Sequence, residues 1–188
     1  MEPQRPTAPS TQTSEAWYVM RVTYQREVIA QKRFSEMGLE SFVPMKRSRR
    51  CTPQGRTFYI DEPAIHNFIF VRACKQQLDS LKRCVMPWLR YMVVRDAEGN
   101  SIMTVPDEQM RSFIAVAGNK QEQASYMLTD GLDLSQGDRV RIIAGPFVGV
   151  EGVFIRLKGQ RKKRVVVSIE GVVAIATTTI PISMVEKI

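Results

Sequence analysis

The chain has few of the residues that build metal centres and disulfide frameworks. Among its 188 residues there are one histidine, His66, and three cysteines. Cys51, Cys74 and Cys84 form neither an even set nor a Cys-x-x-Cys pair, so their spacing supports neither a zinc site nor a disulfide framework. We therefore expect no metal and no cofactor, and a reducing cytosol is the expected setting.

Long apolar runs and catalytic motifs are also missing. No apolar run approaches the roughly 18 residues that a membrane span requires. The segment MEPQRPTAPSTQTSE is polar and rich in proline, which predicts a disordered tail over residues 1–15 rather than a signal peptide. The sequence shows no Ser-His-Asp or Cys-His arrangement, no glycine loop that would hold a phosphate and no acid pair in a defined context. These absences argue against an enzyme and against a membrane partner.

Acidic residues are outnumbered by basic ones. There are 27 Lys and Arg against 19 Asp and Glu, which gives a net charge of +8 and a pI near 9.7. A positive field raises the local concentration of phosphate-bearing chains, so this balance suggests a polyanionic partner. Because solubility alone would explain a mild excess, the placement of the cations has to decide between the two interpretations.

Residues 16–117 alternate between strand and helix patterns. Thr23 is a plausible N-cap of the first helix and Gly38 its terminator. The connections mostly have antiparallel lengths, which predicts a small α+β sandwich. Strands are expected in 17–22, 39–45, 65–73 and 88–95, and helices in 23–38, 75–85 and 106–118.

The second half has a different character. Residues 118–136 lose periodicity and are interpreted as a linker, whereas residues 137–188 carry only strand signals, in DRVRII, GVFIRL, RVVVSI and VVAIATTTI. Four or five short strands in so short a segment predict a small barrel. Gly145 is expected to form a turn, while Gly149 and Gly152 are expected to allow positive φ or close strand approach. We interpret these three glycines as architecture rather than as contacts.

The segment GDRVRIIAGPFVGVEGVFIRL resembles the KOW motif of NusG-type transcription elongation factors and of some ribosomal proteins. WYVMRVTYQRE, FVPM, HNFIFV and VPDEQM are similar to the N-terminal domain of NusG proteins, so the resemblance covers residues 16–188. VTYQRE, IHNFIFV and VVVSIEGVVAIATTTI most resemble the UpxY type, antiterminators associated with capsular polysaccharide operons of Bacteroides-like bacteria. The resemblance implies an N-terminal α/β sandwich over 16–117, a linker over 118–136 and a KOW barrel over 137–188.

The resemblance also implies partners. NusG-type proteins dock an apolar depression of the N-terminal domain onto the clamp helices of RNA polymerase, and the chain is expected to do so as a cytoplasmic monomer. Since strand alternation turns about half of such residues into the core, two or three of the candidates should contact polymerase. Carried over by position, the candidates for the depression and its support are Trp17, Tyr18, Ile65, Phe68, Phe70 and Tyr91.

A basic segment after the second predicted strand is the best candidate for nucleic-acid contact. Five cations precede the first acid, Asp61, and Pro53 and Gly55 mark the tip of a hairpin or loop. In NusG-type proteins this hairpin lies near upstream DNA and the non-template strand, where guanidinium groups can hold phosphates and stack on bases. His66 is a further candidate, although an ordinary strand-end histidine is the simpler interpretation. The cationic candidates are Lys46, Arg47, Arg49, Arg50 and Arg56, joined by Arg21 and Arg26.

A second basic cluster and one acid concern the barrel. Glu170 stands where general NusG proteins commonly carry an aromatic residue, which predicts loss of Rho recruitment and leaves ribosome coupling open. The basic cluster lies at a predicted hairpin tip, and contact with nascent RNA and simple solubility are equally supported. Its members are Arg156, Lys158, Arg161, Lys162, Lys163 and Arg164.

Four functions therefore compete. The first is an operon-specific antitermination factor that binds RNA polymerase and nucleic acid. The second is a general NusG-like elongation factor, which Glu170 and the UpxY-like segments argue against. The third is a ribosome-associated RNA-binding protein, which the NusG-like first half argues against, and the fourth is an enzyme, for which no motif is present.

Overall fold

A computed structural model describes residues 14–96, 99–119, 125–127, 137–156, 164–169 and 172–188. The predictions for the tail up to residue 13, for most of the linker, and for Lys158, Arg161, Lys162, Lys163 and Glu170 fall outside these residues. In chain order the elements are β1 (Ala16–Val22), α1 (Glu27–Glu36), β2 (Glu40–Phe42), β3 (Met45–Cys51), β4 (Thr57–Pro63), β5 (Phe68–Ala73), α2 (Lys75–Cys84), β6 (Leu89–Tyr91), β7 (Val93–Asp96), β8 (Gly99–Ile102), β9 (Thr104–Val105), α3 (Asp107–Ala117), β10 (Ser125–Met127), β11 (Asp138–Ile142), β12 (Glu151–Ile155), β13 (Arg164–Ile169), β14 (Val173–Thr179) and, after a 3₁₀ turn (Ile182–Met184), β15 (Val185–Lys187).

The first sheet has the strand order β2-β5-β1-β6, and β9 also pairs with β1. All of these pairings are antiparallel. The central strand β1 is buried on both faces because apolar side chains alternate between two cores. The predicted α+β arrangement with antiparallel strands is confirmed for this half.

Two hairpins stand outside this sheet. β3 pairs only with β4, and β7 pairs only with β8, among the described residues. The sequence predicts one strand over 88–95, but the chain instead breaks at Met92, between β6 and β7. The backbone N–H of Met92 donates to the carbonyl of Val19 at 2.9 Å, and its own carbonyl accepts the N–H of Met103 at 2.9 Å.

The second sheet follows the antiparallel path β10-β14-β13-β12-β11-β15. Within the described ranges its end strands, β10 and β15, do not pair with each other, so a closed barrel stays a prediction. β10 lies inside the predicted linker, and its Tyr126 is the register partner of Ile175. This short strand forms because it pairs with the edge of β14, which lies far away in sequence. Local periodicity does not reveal such a pairing.

Two glycines shape the second sheet in different ways. Gly149 has φ 84°, a left-handed conformation that residues with a side chain seldom adopt. At Gly152 an added Cβ would lie 2.6 Å from the carbonyl oxygen of Val166 on the neighbouring strand. These are the positive φ and the close approach that the sequence predicts.

One core is shared by both sheets through α3. Phe113 of α3 is fully buried, and its ring centroid lies 5.6 Å from that of Phe70 in β5. On the other side α3 contacts β12, β13 and β14. The hydroxyl of Ser112 there accepts the backbone N–H of Glu151 at 3.1 Å. The helix therefore lies between the first and the second sheet.

A second core lies on the opposite face of the first sheet, against α1 and α2. Tyr18 and Met20 of β1 belong to it, together with Phe34 of α1 and Leu78 of α2. Its members are flanked in β1 by Trp17 and Val19, which belong to the shared core. The two clusters thus follow the period of two that a strand imposes on its side chains.

The first helix begins later than the sequence predicts. Thr23 does not cap it; α1 starts at Glu27, and Arg26 occupies the cap position without a side-chain hydrogen bond. The reason is that Tyr24 and Gln25 have φ values of 59° and 53°, which interrupt a right-handed helix. Gly38, with φ 71°, follows the end of the helix as predicted. No helix in the described part of the chain is long and apolar enough to cross a membrane.

Candidate nucleic-acid and polymerase interface

The β3–β4 hairpin carries the basic segment on a two-stranded ladder of its own. Its register pairs Met45 with Pro63 at the base and Cys51 with Thr57 near the tip. At the tip the N–H of Thr52 donates to the carbonyl of Arg56 at 2.8 Å. Because the side chains of a strand alternate between faces, the cations of β3 divide into two sets.

One face of the hairpin is partly neutralised. Glu62, opposite Lys46, receives a hydrogen bond from Ser48 at 2.6 Å and an ion pair from Arg50 at 2.7 Å. Lys46 lies 3.7 Å from the same carboxylate. Hydrogen bonds from Ser48 and Arg50 lower the pKa of Glu62 to about 2. This neutralisation is not visible in the linear sequence, because Glu62 follows the basic run along the chain but lies beside it in the hairpin.

The other face carries cations without ion pairs among the described residues. The guanidinium carbon of Arg47 lies 4.9 Å from the ring centroid of Tyr59, which is 57% exposed. Arg49, directly opposite Tyr59 in the register, donates to the hydroxyl of Thr57 at 3.3 Å. We call Arg47, Arg49 and Tyr59 the hairpin face. Arginine beside an exposed aromatic ring is a combination that can hold phosphate and stack on a base.

The remaining cationic candidates surround the turn between β1 and α1 rather than the hairpin. The guanidinium carbon of Arg21 lies 5.8 Å from the ring centroid of Phe68. That of Arg26 lies 5.4 Å from the Tyr24 ring centroid and 5.6 Å from the Trp88 ring centroid. The predicted cations therefore form two separate groups, each with aromatic neighbours.

His66 lies at the turn before β5. Its Nδ1 is 3.9 Å from Oε1 of Glu27, whose side chain is 1% exposed. The same Glu27 oxygen accepts the backbone N–H of Asn67. His66 itself is exposed, so it covers a buried carboxylate at a strand end. Among the described residues, no group of three or more His, Cys, Asp or Glu is arranged to hold a metal ion.

The six apolar candidates do not form one surface. Trp17 and Phe70 are buried in the shared core, with Ile65 and Phe68 partly buried against it. Tyr18 and Tyr91, in contrast, belong to the core on the opposite face of the first sheet. Strand alternation separates neighbours such as Trp17 and Tyr18, so the candidates for the depression and its support divide between the two faces of the first sheet. Ile65 and Phe68 are the members that combine partial exposure with contact to the shared core.

Tyr91 has a packing role against α2. Its hydroxyl donates to Oδ1 of Asp79 at 3.0 Å, and Nζ of Lys82 lies 4.0 Å from its ring centroid. Burial, followed by the hydrogen bond to Asp79, raises the pKa of Tyr91. Its ring centroid is also 5.7 Å from that of Tyr18.

Arg164, a member of the second basic cluster, is built into the second sheet. Its Nη1 donates to the hydroxyl of Ser125 at 3.2 Å and to the carbonyl of Thr177 at 3.4 Å. These bonds attach β13 to β10 and β14. Arg156, at the end of β12, is exposed.

Sequence reasoning did not single out three aromatic residues that border the cations. Tyr59 could have been found by pairing the two arms of the hairpin around Pro53 and Gly55, which places it opposite the arginines. Tyr24 and Trp88 carry no such signal, because they come together only through the packing of α1 beside the residues that precede β6.

The comparisons with known proteins agree with the architecture of the first half. A comparison with curated proteins gave no match. A family model described as "Transcription termination factor nusG" matches residues 15–114, which is more than half of the chain. The match covers the first sheet, both hairpins and most of α3. The chain belongs to the NusG family.

Proposed function

We propose that the chain is an antitermination factor that binds the RNA polymerase clamp and contacts nucleic acid with the hairpin face. As a NusG-family member it is a transcription elongation or termination factor, and RNA polymerase is its general partner. Proteins of this family are transcription factors rather than enzymes. Restriction to a few operons, such as those for polysaccharide synthesis, is the finer part of the proposal and is supported by the UpxY-like segments.

The observation that carries the proposal is the hairpin face. Arg47 and Arg49 lie on a hairpin that belongs to neither sheet, beside the exposed ring of Tyr59. Lys46 and Arg50 on the opposite face pair with Glu62. Arg47 and Arg49 form no ion pair among the described residues, although Asp61 is the register partner of Arg47, so their guanidinium groups stay available for a ligand. Such a surface suits upstream DNA or the non-template strand, since backbone phosphates bind arginine and bases stack on tyrosine.

For the polymerase contact we propose Ile65 and Phe68, supported from below by Trp17 and Phe70. The two upper residues are partly buried and pack on the shared core that contains the lower two. An apolar side chain that is already packed against a buried core loses little conformational entropy when it binds a partner. A clamp state that binds this surface better is stabilised by the difference in affinity, which is how a factor of this kind suppresses pausing.

The nucleic-acid part is tested by Arg47→Gln combined with Arg49→Gln. Affinity for single-stranded DNA should fall by about tenfold at moderate salt, and the slope of log K against log salt should fall by about 1.4, because each phosphate contact on a single strand contributes about 0.7. The matched control is Arg141→Gln, which removes an arginine that is paired with Glu151 at 2.6 Å. Equal affinities for the double variant and the control would contradict the proposed role of the hairpin face.

The polymerase part is tested by Ile65→Asp in a pull-down with core polymerase. Binding should be lost, while Ile182→Asp, which changes a residue 73% exposed on the second half, should bind normally. In-vitro transcription then separates the operon-specific from the general factor. Readthrough limited to templates with a particular leader supports the first, and readthrough on all templates supports a general elongation factor.

A further inference from the structure

The turn between β1 and α1 has a strained backbone, because two of its residues that are not glycine have positive φ. Tyr24 and Gln25 have φ values of 59° and 53°, in the left-handed region that favours glycine. Two consecutive residues with side chains in this region carry a conformational cost, which persists only where surrounding structure fixes it.

The neighbouring turn supplies that fixation. The N–H of Gln25 donates to Oδ1 of Asn67 at 3.1 Å, and the N–H of Val22 donates to the carbonyl of Asn67 at 2.9 Å. Asn67 itself has φ 67°, and its N–H donates to the buried carboxylate of Glu27. Residues on both sides of the strained pair are therefore attached to one asparagine.

The result of this strain is an outward-facing aromatic ring. Tyr24 is 83% exposed, so its ring contributes little to either core. Turns held in sparsely populated conformations without a packing benefit are concentrated at functional sites. The exposed ring therefore calls for a ligand that recognises aromatic surface.

Charge identifies the chemistry of that ligand. The guanidinium carbon of Arg26 lies within 5.6 Å of the ring centroids of both Tyr24 and Trp88, which holds the cation beside the exposed ring. Arg21, on the adjoining strand, stacks over Phe68. Within the described residues neither arginine forms an ion pair with a carboxylate. A flat ligand that carries negative charge matches this arrangement.

We infer that Tyr24, Arg26 and Trp88 form a base-stacking site for single-stranded nucleic acid, separate from the hairpin face. The inference rests on the proposed function and adds a second contact point to it. The Tyr24 ring stacks on one base, Arg26 binds an adjacent phosphate, and Trp88 positions Arg26 from behind. Because every base offers a π face, the site tolerates different sequences.

The test uses the full chain and a single-stranded oligodeoxynucleotide. The chain has two tryptophans, and Trp17 is only 4% exposed, so Trp88 reports on the site by its fluorescence. We expect the oligonucleotide to change this emission. Tyr24→Gly should lower the affinity at least about fivefold and remove the emission change, while Tyr24→Phe should keep both.

Folding is controlled within the same experiment. Tyr24→Gly removes the ring and the positive-φ strain together, so its melting temperature should be no lower than that of the unchanged chain. A stacking site thus predicts weaker binding without loss of stability. If the Tyr24 ring had only a structural role, Tyr24→Gly would bind the oligonucleotide normally and would melt at a lower temperature. Unchanged affinity of Tyr24→Gly would therefore overturn the inference.

Failure of this inference is distinguishable from failure of the proposed function. The double hairpin variant, Arg47→Gln with Arg49→Gln, should bind more weakly but still show the emission change at saturation. If that variant binds weakly and Tyr24→Gly binds normally, the hairpin face acts alone and the Tyr24 site is refuted. If the hairpin variant loses the emission change at saturation, the two surfaces are not separate, which also refutes the inference.

Discussion

The β3–β4 hairpin and the second sheet both carry arginines, but they use them differently. In the second sheet Arg141 lies 2.6 Å from Glu151 and 3.4 Å from Glu186, so its charge is balanced within the fold. On the hairpin face Arg47 and Arg49 form no ion pair among the described residues, although Asp61 is the register partner of Arg47. The position of cations in a fold therefore says less about their function than the position of the acids that neutralise them.

The largest expected effect comes from breaking the core that the two regions share. Phe113→Ala should lower the free energy of unfolding by about 3–5 kcal/mol, because the fully buried ring packs against Phe70 and Phe42. Urea denaturation measures it. The control, Val148→Ala, changes a residue 61% exposed in the second half and should cost about 0.5 kcal/mol or less. A cost for Phe113→Ala as small as the control's would mean that α3 does not join the sheets.

A smaller effect is expected from replacing a glycine with alanine, and its size should differ between the second sheet and the hairpin tip. Gly152→Ala places a Cβ 2.6 Å from the carbonyl oxygen of Val166, so the strands must shift at a cost of about 1–3 kcal/mol. Gly55→Ala at the hairpin tip meets no atom within 4 Å and suffers only from φ 80°, which costs about 1 kcal/mol. Thermal unfolding of both variants ranks the two costs, and the reverse ranking would contradict the close approach of β12 and β13.

Tyr126 connects the two regions and provides a pH-dependent test. Its hydroxyl donates to the carbonyl of Met45 at 3.1 Å, and burial raises its pKa from 10.0 to about 12. A raised tyrosine pKa means that its contribution to stability is complete below pH 10 and is lost as the pH rises toward 12.

Tyr126→Phe should therefore flatten the stability profile in that alkaline range. At neutral pH this variant should lose about 1 kcal/mol, the typical net value of one hydrogen bond. Denaturation at several pH values between about 9 and about 12 compares the stability of the Tyr126→Phe variant with that of the unchanged chain. Parallel profiles would show that Tyr126 does not titrate as a buried group.

The smallest effect concerns the paired arginine itself. Arg141→Gln should change the free energy of unfolding less than any substitution above other than the Val148→Ala control, because solvent screens its ion pairs with the partly exposed Glu151 and Glu186. Chemical denaturation at low and high salt measures this contribution, which should shrink as salt is added. A large, salt-independent loss would indicate that the arginine packs rather than pairs.

Much of the first half is predictable because its signals are local. The apolar positions Ala30 and Phe34 on one helix, and Met110 and Phe113 on another, repeat with the helical period and do face the cores. The turn at Gly55 and the hairpin around it follow from proline and glycine chemistry. The positive φ of Gly149 is predictable for the same reason, since few residues other than glycine adopt this conformation.

The unpredicted features depend on residues far apart in the chain. β10 is a strand because Tyr126 meets Ile175, and the segment around Tyr126 has no alternation of its own. The β1–α1 turn owes its positive φ to Asn67, on another element. The six apolar candidates divide between two cores because Trp17 and Tyr18 point to opposite faces of one strand, and a resemblance by position does not show which face each residue is on.

The hairpin contributes almost nothing to either core, and this has an evolutionary consequence. Met45, at its base, packs against a core cluster, whereas from Lys46 to Cys51 its side chains are only partly buried or exposed. Changes along this arm alter the outer chemistry of the protein while leaving its scaffold intact. On the proposed function, substitutions confined to this hairpin change the preference for nucleic acid without requiring any change in the residues that pack the two cores.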